Sequence, residues 1–218
     1  MREDGSNSQN VKTIVSIRKT KGVVPAFLVE ASDGSSFFCP QSLLSTQEWT
    51  MLLYVGNQID EEQWTECEDQ SEQVFAYLQC IRLLTRREHT RQELEQKLLL
   101  RRYSKASIQL ALSKAESAGY INHERFAEQW LHQRVQSNPE SMSRLQARLQ
   151  SKGLDRTDAV LALQTYCRDH DVTEEWLCKR ALDKIPQHVD QEKKMKKLQN
   201  LGFSYGIVSR VLENSEES

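Results

Sequence analysis

The sequence predicts a mainly α-helical fold: three tandem three-helix repeats in an elongated, curved array, preceded by a small β-rich segment. Three observations predict it. A pattern of leucine, basic residue and leucine recurs along the chain, as Leu94-x-x-Lys97-Leu98 and Leu145-x-x-Arg148-Leu149, and in part as Lys197-Leu198. Each copy ends on an apolar residue and a helix-cap residue, Tyr103-Ser104, Leu154-Asp155 and Phe203-Ser204, with Leu112, Leu163 and Leu212 eight residues beyond. The spacing of about 50 residues fits three helices per unit, each needing neighbours to bury its apolar stripe. Composition agrees, because 38% hydrophobic and 28% charged residues suit a thin core.

The elements follow in order. Residues 1–10 are polar and expected to be disordered. The β-rich segment spans 11–70. Val11, Thr13, Val15 and Ile17 alternate as in a strand, and Asp33-Gly34 between Ala26–Ala31 and Ser35–Phe38 is a strong hairpin signal. Pro40 stops the hairpin. Ser45 with Glu48 and Asp60 with Gln63 are spaced as capping boxes for short helices. About three strands result, and a sheet so small needs the following helix for support.

The first repeat covers 71–121. Val74, Phe75, Leu78, Ile81 and Leu84 form one helical face, Thr90 with Glu93 caps the second helix, and Ser104 opens a third that Gly119 closes. The second repeat, 122–169, opens at Asn122 and pauses at Asn138-Pro139. The third, 170–213, opens at Thr173 and is interrupted at Pro186. Trp130 and Trp176 fall on apolar faces and read as core. Residues 214–218 are expected to fray.

Several function classes find no support. There is no Gly-rich phosphate loop, no Gly-x-Ser-x-Gly and no His-Glu-x-x-His, so the chain reads as a non-enzyme without cofactor or metal. Cys167, His170 and Cys178 are poorly spaced for a metal. Five cysteines without Cys-x-x-Cys, no apolar run near ~20 residues and no signal-peptide core point to the cytoplasm.

Charge is placed unevenly. Residues 1–72 carry five Lys/Arg against twelve Asp/Glu, whereas 82–157 carry fifteen against eight. The middle of the chain is thus expected to meet an acidic partner. A solvated helix face, with Glu93 and Lys97 as an i,i+4 pair, accounts for one helix. A basic residue recurring in register favours a track for phosphates or acidic side chains. The candidates are Arg86, Arg87, Arg91, Lys97, Arg101, Arg102, Arg148 and Lys152.

Arg86-Arg87-Glu88-His89-Thr90, Glu93-Leu94, Lys97-Leu98, Gly119-Tyr120-Ile121 and Arg125-Phe126-Ala127 together resemble the signature of the RecX family, bacterial regulators of the recombinase RecA. The resemblance runs over about residues 71–213, and it adds Arg125 to the candidate binding residues. Arg102 stands where a glycine often ends the second helix, His123 where an acidic residue is common, and Pro139 in place of a glycine-containing linker. The family implies a monomer lying in the groove of the RecA–DNA filament, touching RecA and single- or double-stranded DNA. It would inhibit recombinase, ATPase and filament extension in DNA repair and recombination. Two alternatives remain: a helical protein acting on bare DNA, and a helical adaptor between proteins.

Overall fold

The computed structural model describes residues 11–22 and 24–216, with the side chain of residue 216 excepted. The expected disorder of residues 1–10, and of 217–218, lies outside the described residues. The elements run β1 (Val11–Thr20), β2 (Ala26–Ala31), β3 (Ser36–Pro40), α1 (Gln41–Leu44), α2 (Gln47–Leu52), β4 (Gln58–Asp60) and α3 (Glu61–Leu84). Eight further helices follow: α4 (Arg91–Leu99), α5 (Lys105–Ser117), α6 (His123–Ser137), α7 (Met142–Ser151), α8 (Arg156–Asp169), α9 (Glu174–Leu182), α10 (Gln191–Asn200) and α11 (Tyr205–Glu216). The described residues fall into two compact units, one reaching to residue 83 and including 95–118, the other 84–94 with those from 119 on.

In the first unit an antiparallel sheet has the order β3-β2-β1-β4. The strand at 11–20 is as expected, but its faces are not. Val11 and Val15 are about half exposed, while Lys12 and Ile14 are buried. A register shift between Ile14 and Ser16 breaks the simple alternation. Lys12 tolerates burial because its ammonium pairs with Asp33 at 2.7 Å and Glu61 at 3.2 Å, and lies 5.3 Å from the Trp64 ring centre. The fourth strand, β4, was not anticipated: three residues are too few to show a period.

Ser45 does not cap α2. Pro40 starts a one-turn helix, α1, whose last turn uses Ser45, so α2 begins after Thr46 instead. Asp60 and Gln63 do form a reciprocal box, at 2.8 and 3.3 Å. The helix after the sheet supports it as expected: Trp64 and Cys67 of α3 pack with Ile14, Val29, Phe37 and Cys39, and Phe37 meets Trp64 edge to face. This helix runs unbroken from Glu61 to Leu84, across position 70. Glu72 on α3 takes hydrogen bonds from Ser104, which caps α5, and from Ser107 within it (2.5 and 2.6 Å), and Lys114 of α5 stands over Tyr77 at 4.6 Å.

In the second unit two helix triplets, α6–α7–α8 and α9–α10–α11, share one core. It includes Leu131, Leu145, Leu149, Leu163, Leu177, Leu198 and Leu212. Every leucine aligned in the sequence is buried, Leu94, Leu98 and Leu112 among them. Asn122, Asp155 and Thr173 start helices as expected, and Ser141 and Asp190 start α7 and α10 in the same way: each of the five accepts from the N–H three residues on. The helix α11 continues to Glu216, past the expected frayed end at 214.

Candidate functional site

The three equivalent helices α4, α7 and α10 end alike. The N–H of Arg102, Gly153 and Gly202 bonds back to Leu99, Gln150 and Gln199, and the N–H of Tyr103, Leu154 and Phe203 to Leu98, Leu149 and Leu198. This is the Schellman pattern, which needs a left-handed residue. Arg102, Gly153 and Gly202 have φ of 65°, 101° and 93°.

The start of one such helix meets the end of the next. Thr90, capping α4, donates its hydroxyl to the Lys152 carbonyl at 2.6 Å. Ser141, capping α7, donates its N–H to the Leu201 carbonyl at 3.1 Å. The approach is close enough to demand a bare backbone. A Cβ at Gly153 would fall 2.7 Å from Gln92 Oε1, and one at Gly202 would fall 2.3 Å from Ser141 Oγ. No triplet precedes α4, so its last turn needs only the left-handed conformation, and Arg102 is tolerated there.

Four of the nine basic residues singled out by sequence hold carboxylates at or beside these joints. Glu93 accepts from Lys152 at 2.8 Å, Arg87 at 2.9 Å and His89 at 3.0 Å. Burial pushes this carboxyl up, but the hydrogen bonds from Lys152, His89 and Arg87 outweigh it and hold the pKa at about 2. Glu93 therefore serves Lys152 across the joint and not Lys97 along its own helix. Arg125 pairs with Glu88 at 2.8 Å and donates to the carbonyls of Gly119 and Tyr120. At the second joint Arg148 (2.5 Å) and Arg134 (2.8 Å) share one oxygen of Glu140, which is 1% exposed.

The candidates thus fall into groups. Arg87, Arg125, Arg148 and Lys152 hold carboxylates within the second unit. Arg101 donates to the Lys97 carbonyl at 2.8 Å. Arg91 is half-buried. Arg86 and Arg102 are exposed and Lys97 half-buried, and none of these three makes an ion pair among the described residues. Lys97, Arg101 and Arg102 belong to the first compact unit and the other six to the second.

Sequence reasoning missed two features. The joint carboxylates Glu93 and Glu140 find partners up to 59 positions away, which no local spacing announces. Trp176 is 38% exposed, not core, with the Arg180 guanidinium over its ring at 5.1 Å. The buried stripe of α9 is Leu177, Cys178 and Ala181, and Trp176 lies just off it. Trp130 packs against the core as expected. The cysteines Cys39, Cys67, Cys80 and Cys178 are buried, which pushes their thiols up to about 11 or 12. No helix among the described residues is long and apolar enough to cross a membrane.

Residues 76–114 match the family model described as RecX, first three-helix domain, and residues 122–163 match that of the second three-helix domain. A regulatory protein RecX of Treponema pallidum (strain Nichols) is 33% identical over 133 residues, 61% of this chain and 80% of that protein. One from Chlorobium phaeobacteroides (strain BS1) is 31% identical over 140 residues, 61% of this chain and 88% of its own. A crystal structure of regulatory protein RecX superposes with a TM-score of 0.62 at 18% identity, over 93% of this chain and 99% of that one. Another, of RecX from Lactobacillus salivarius, gives 0.54 at 20% identity, over 67% and 98%. At those identities the structures support the fold, and the sequence relatives carry the assignment: the chain belongs to the RecX family of regulatory proteins.

Proposed function

We propose that this protein binds the RecA–DNA filament and restrains RecA's recombinase, ATPase and filament-extension activities, without chemistry of its own. The observation that carries the reading is the extent of the family match: relatives named regulatory protein RecX align over 80% and 88% of their length. A helical array whose joints are fixed by buried ion pairs suits this task. Binding one filament state better than another shifts the filament population with no bond made or broken.

The division into segments 11–70, 71–121, 122–169 and 170–213, the cytoplasmic setting and the monomeric state belong to the same proposal. So does the contact surface. Arg86, Arg91, Lys97, Arg101 and Arg102 are its candidates for phosphates or acidic side chains. Arg87, Arg125, Arg148 and Lys152 contribute by fixing the joints within the second unit.

The test is RecA ATPase and strand exchange on single-stranded DNA with substoichiometric protein added. Suppression of both, weakening steeply with salt as phosphate contacts displace counterions, is the expected result. An unchanged ATPase at every ratio tested would overturn the reading.

A further inference from the structure

Trp176 is unlike the other tryptophans. Trp49 and Trp64 are buried in the first unit and Trp130 packs against the core of the second. Trp176 stands 38% exposed on α9, and Lys179 and Arg180 follow it at three and four residues, hence on the same helix side. The α11 helix brings Arg210 to the same place, where it pairs with Glu175. Trp176, Lys179, Arg210, Glu175 and Asn214 line an open cleft of about 480 Å³. Two cations, Lys179 and Arg210, against one carboxylate, Glu175, line the cleft, and the Arg180 guanidinium, 5.1 Å from the ring centre, lies over the aromatic ring.

A ring that contributes little to the core and is hemmed by cations has the chemistry of a stacking platform. Every base has a π-face for the ring, and its flanking phosphates meet the cations. A duplex keeps its bases stacked and offers no such face. An acidic peptide meets the cations but leaves the ring without a partner.

We propose that this cleft binds single-stranded nucleic acid, stacking one base on the Trp176 ring and holding adjacent phosphates with Lys179 and Arg210. Arg210 exchanges its Glu175 partner for phosphate on binding. The site deepens the filament reading, on which it rests only for the source of the single strand in the cell. Its test needs DNA alone.

The full chain is titrated with end-labelled oligo(dT) of about twenty residues and with labelled duplex DNA and polyglutamate of similar length, following the anisotropy of the label in every variant and tryptophan fluorescence in the native chain. Oligo(dT) is expected to quench the exposed tryptophan and bind tightest. Trp176→Ala should weaken binding about tenfold, Trp176→Phe only slightly, in line with the energy of one stacked base. Lys179→Glu, a surface change that leaves the fold intact, should weaken binding and flatten its salt dependence. Unchanged oligo(dT) affinity in Trp176→Ala overturns the site, as does equal or tighter binding of duplex or polyglutamate. RecA inhibition is measured on the same variants. Lost oligo(dT) binding with intact inhibition keeps the site and detaches it from filament control. Intact oligo(dT) binding removes the site whatever the recombinase assay shows.

Discussion

Arg102, Gly153 and Gly202 share one backbone conformation and differ in what stands beside them. At Gly202 a methyl group would meet Ser141 Oγ at 2.3 Å as well as adopting a φ that L-residues resist. Gly202→Ala should therefore lower stability by about 2 kcal/mol or more, since left-handed backbone alone costs ~1 kcal/mol. Arg102 is exposed and carries the backbone cost without the clash. Arg102→Gly should raise stability by about 0.5–1 kcal/mol, the relief being partly offset by glycine's greater freedom when unfolded. Urea unfolding of both variants checks the opposite signs; destabilisation by Arg102→Gly would contradict this account. The same joint sets a pH dependence. Glu93 has a folded pKa of about 2 against an ordinary 4.5, so the unfolded chain binds its proton first. The stabilisation is complete above the ordinary value and is lost as pH falls from about 4.5 to 2. Unfolding midpoints measured down this range should fall less steeply in Glu93→Gln than in the native chain. Parallel curves would show that Glu93 is not the group responsible.

Helix starts divide into those that only cap and those that also join. Asp155 accepts the N–H of Asp158 at 2.7 Å and caps α8. Thr90 accepts the N–H of Glu93 at 3.1 Å and in addition donates to Lys152 O at 2.6 Å. Losing a cap costs ~1 kcal/mol, and a buried carbonyl left without its donor adds a comparable amount. Thr90→Ala should accordingly cost about twice as much as Asp155→Ala in thermal or urea unfolding, and equal losses would mean the joint bond contributes nothing. The division also explains what the sequence could disclose. Caps and leucine registers act within about a turn or two, so Asn122, Ser104, Thr173 and the leucines of α4, α7 and α10 were legible in order. The strand faces were less so, because the shift at Ile14/Ser16 and the two carboxylates on Lys12 depend on partners elsewhere. The recurring basic residue was legible as a pattern but not as a role. Arg148 faces Glu140 and Lys152 faces Glu93, and only folding brings those carboxylates to them. Trp176 was misread for a related reason: it adjoins the stripe that buries Leu177, and one position decides which side of a helix a ring takes.

For the molecule as a whole, cations that hold the array together must be separated from cations that meet a partner. Glu140 lies almost wholly out of solvent, with Arg134 and Arg148 on one oxygen and its other oxygen making no hydrogen bond. Leaving a buried charge without any partner costs about 3–5 kcal/mol. Arg134 stays on Glu140 when Arg148 is lost, so the cost is smaller, but a glutamate at position 148 also sets a second carboxylate beside the buried one. Arg148→Glu should therefore lower the unfolding midpoint strongly, and any loss of filament inhibition in that variant follows from damage to the joint. Arg86 and Arg102 are exposed and make no ion pair among the described residues. Charge reversal at an unpaired surface site changes stability by about 0.5 kcal/mol or less, so Arg86→Glu with Arg102→Glu should leave unfolding nearly unchanged. If these residues touch phosphates, the double variant should weaken RecA inhibition, with the largest deficit at low salt, where screening is least. Inhibition and unfolding measured side by side on the two sets sort the roles. Full inhibition by the Arg86/Arg102 variant at low salt would take those residues off the contact surface. An unchanged unfolding midpoint in Arg148→Glu would mean that the carboxylate of Glu140 does not need its second arginine.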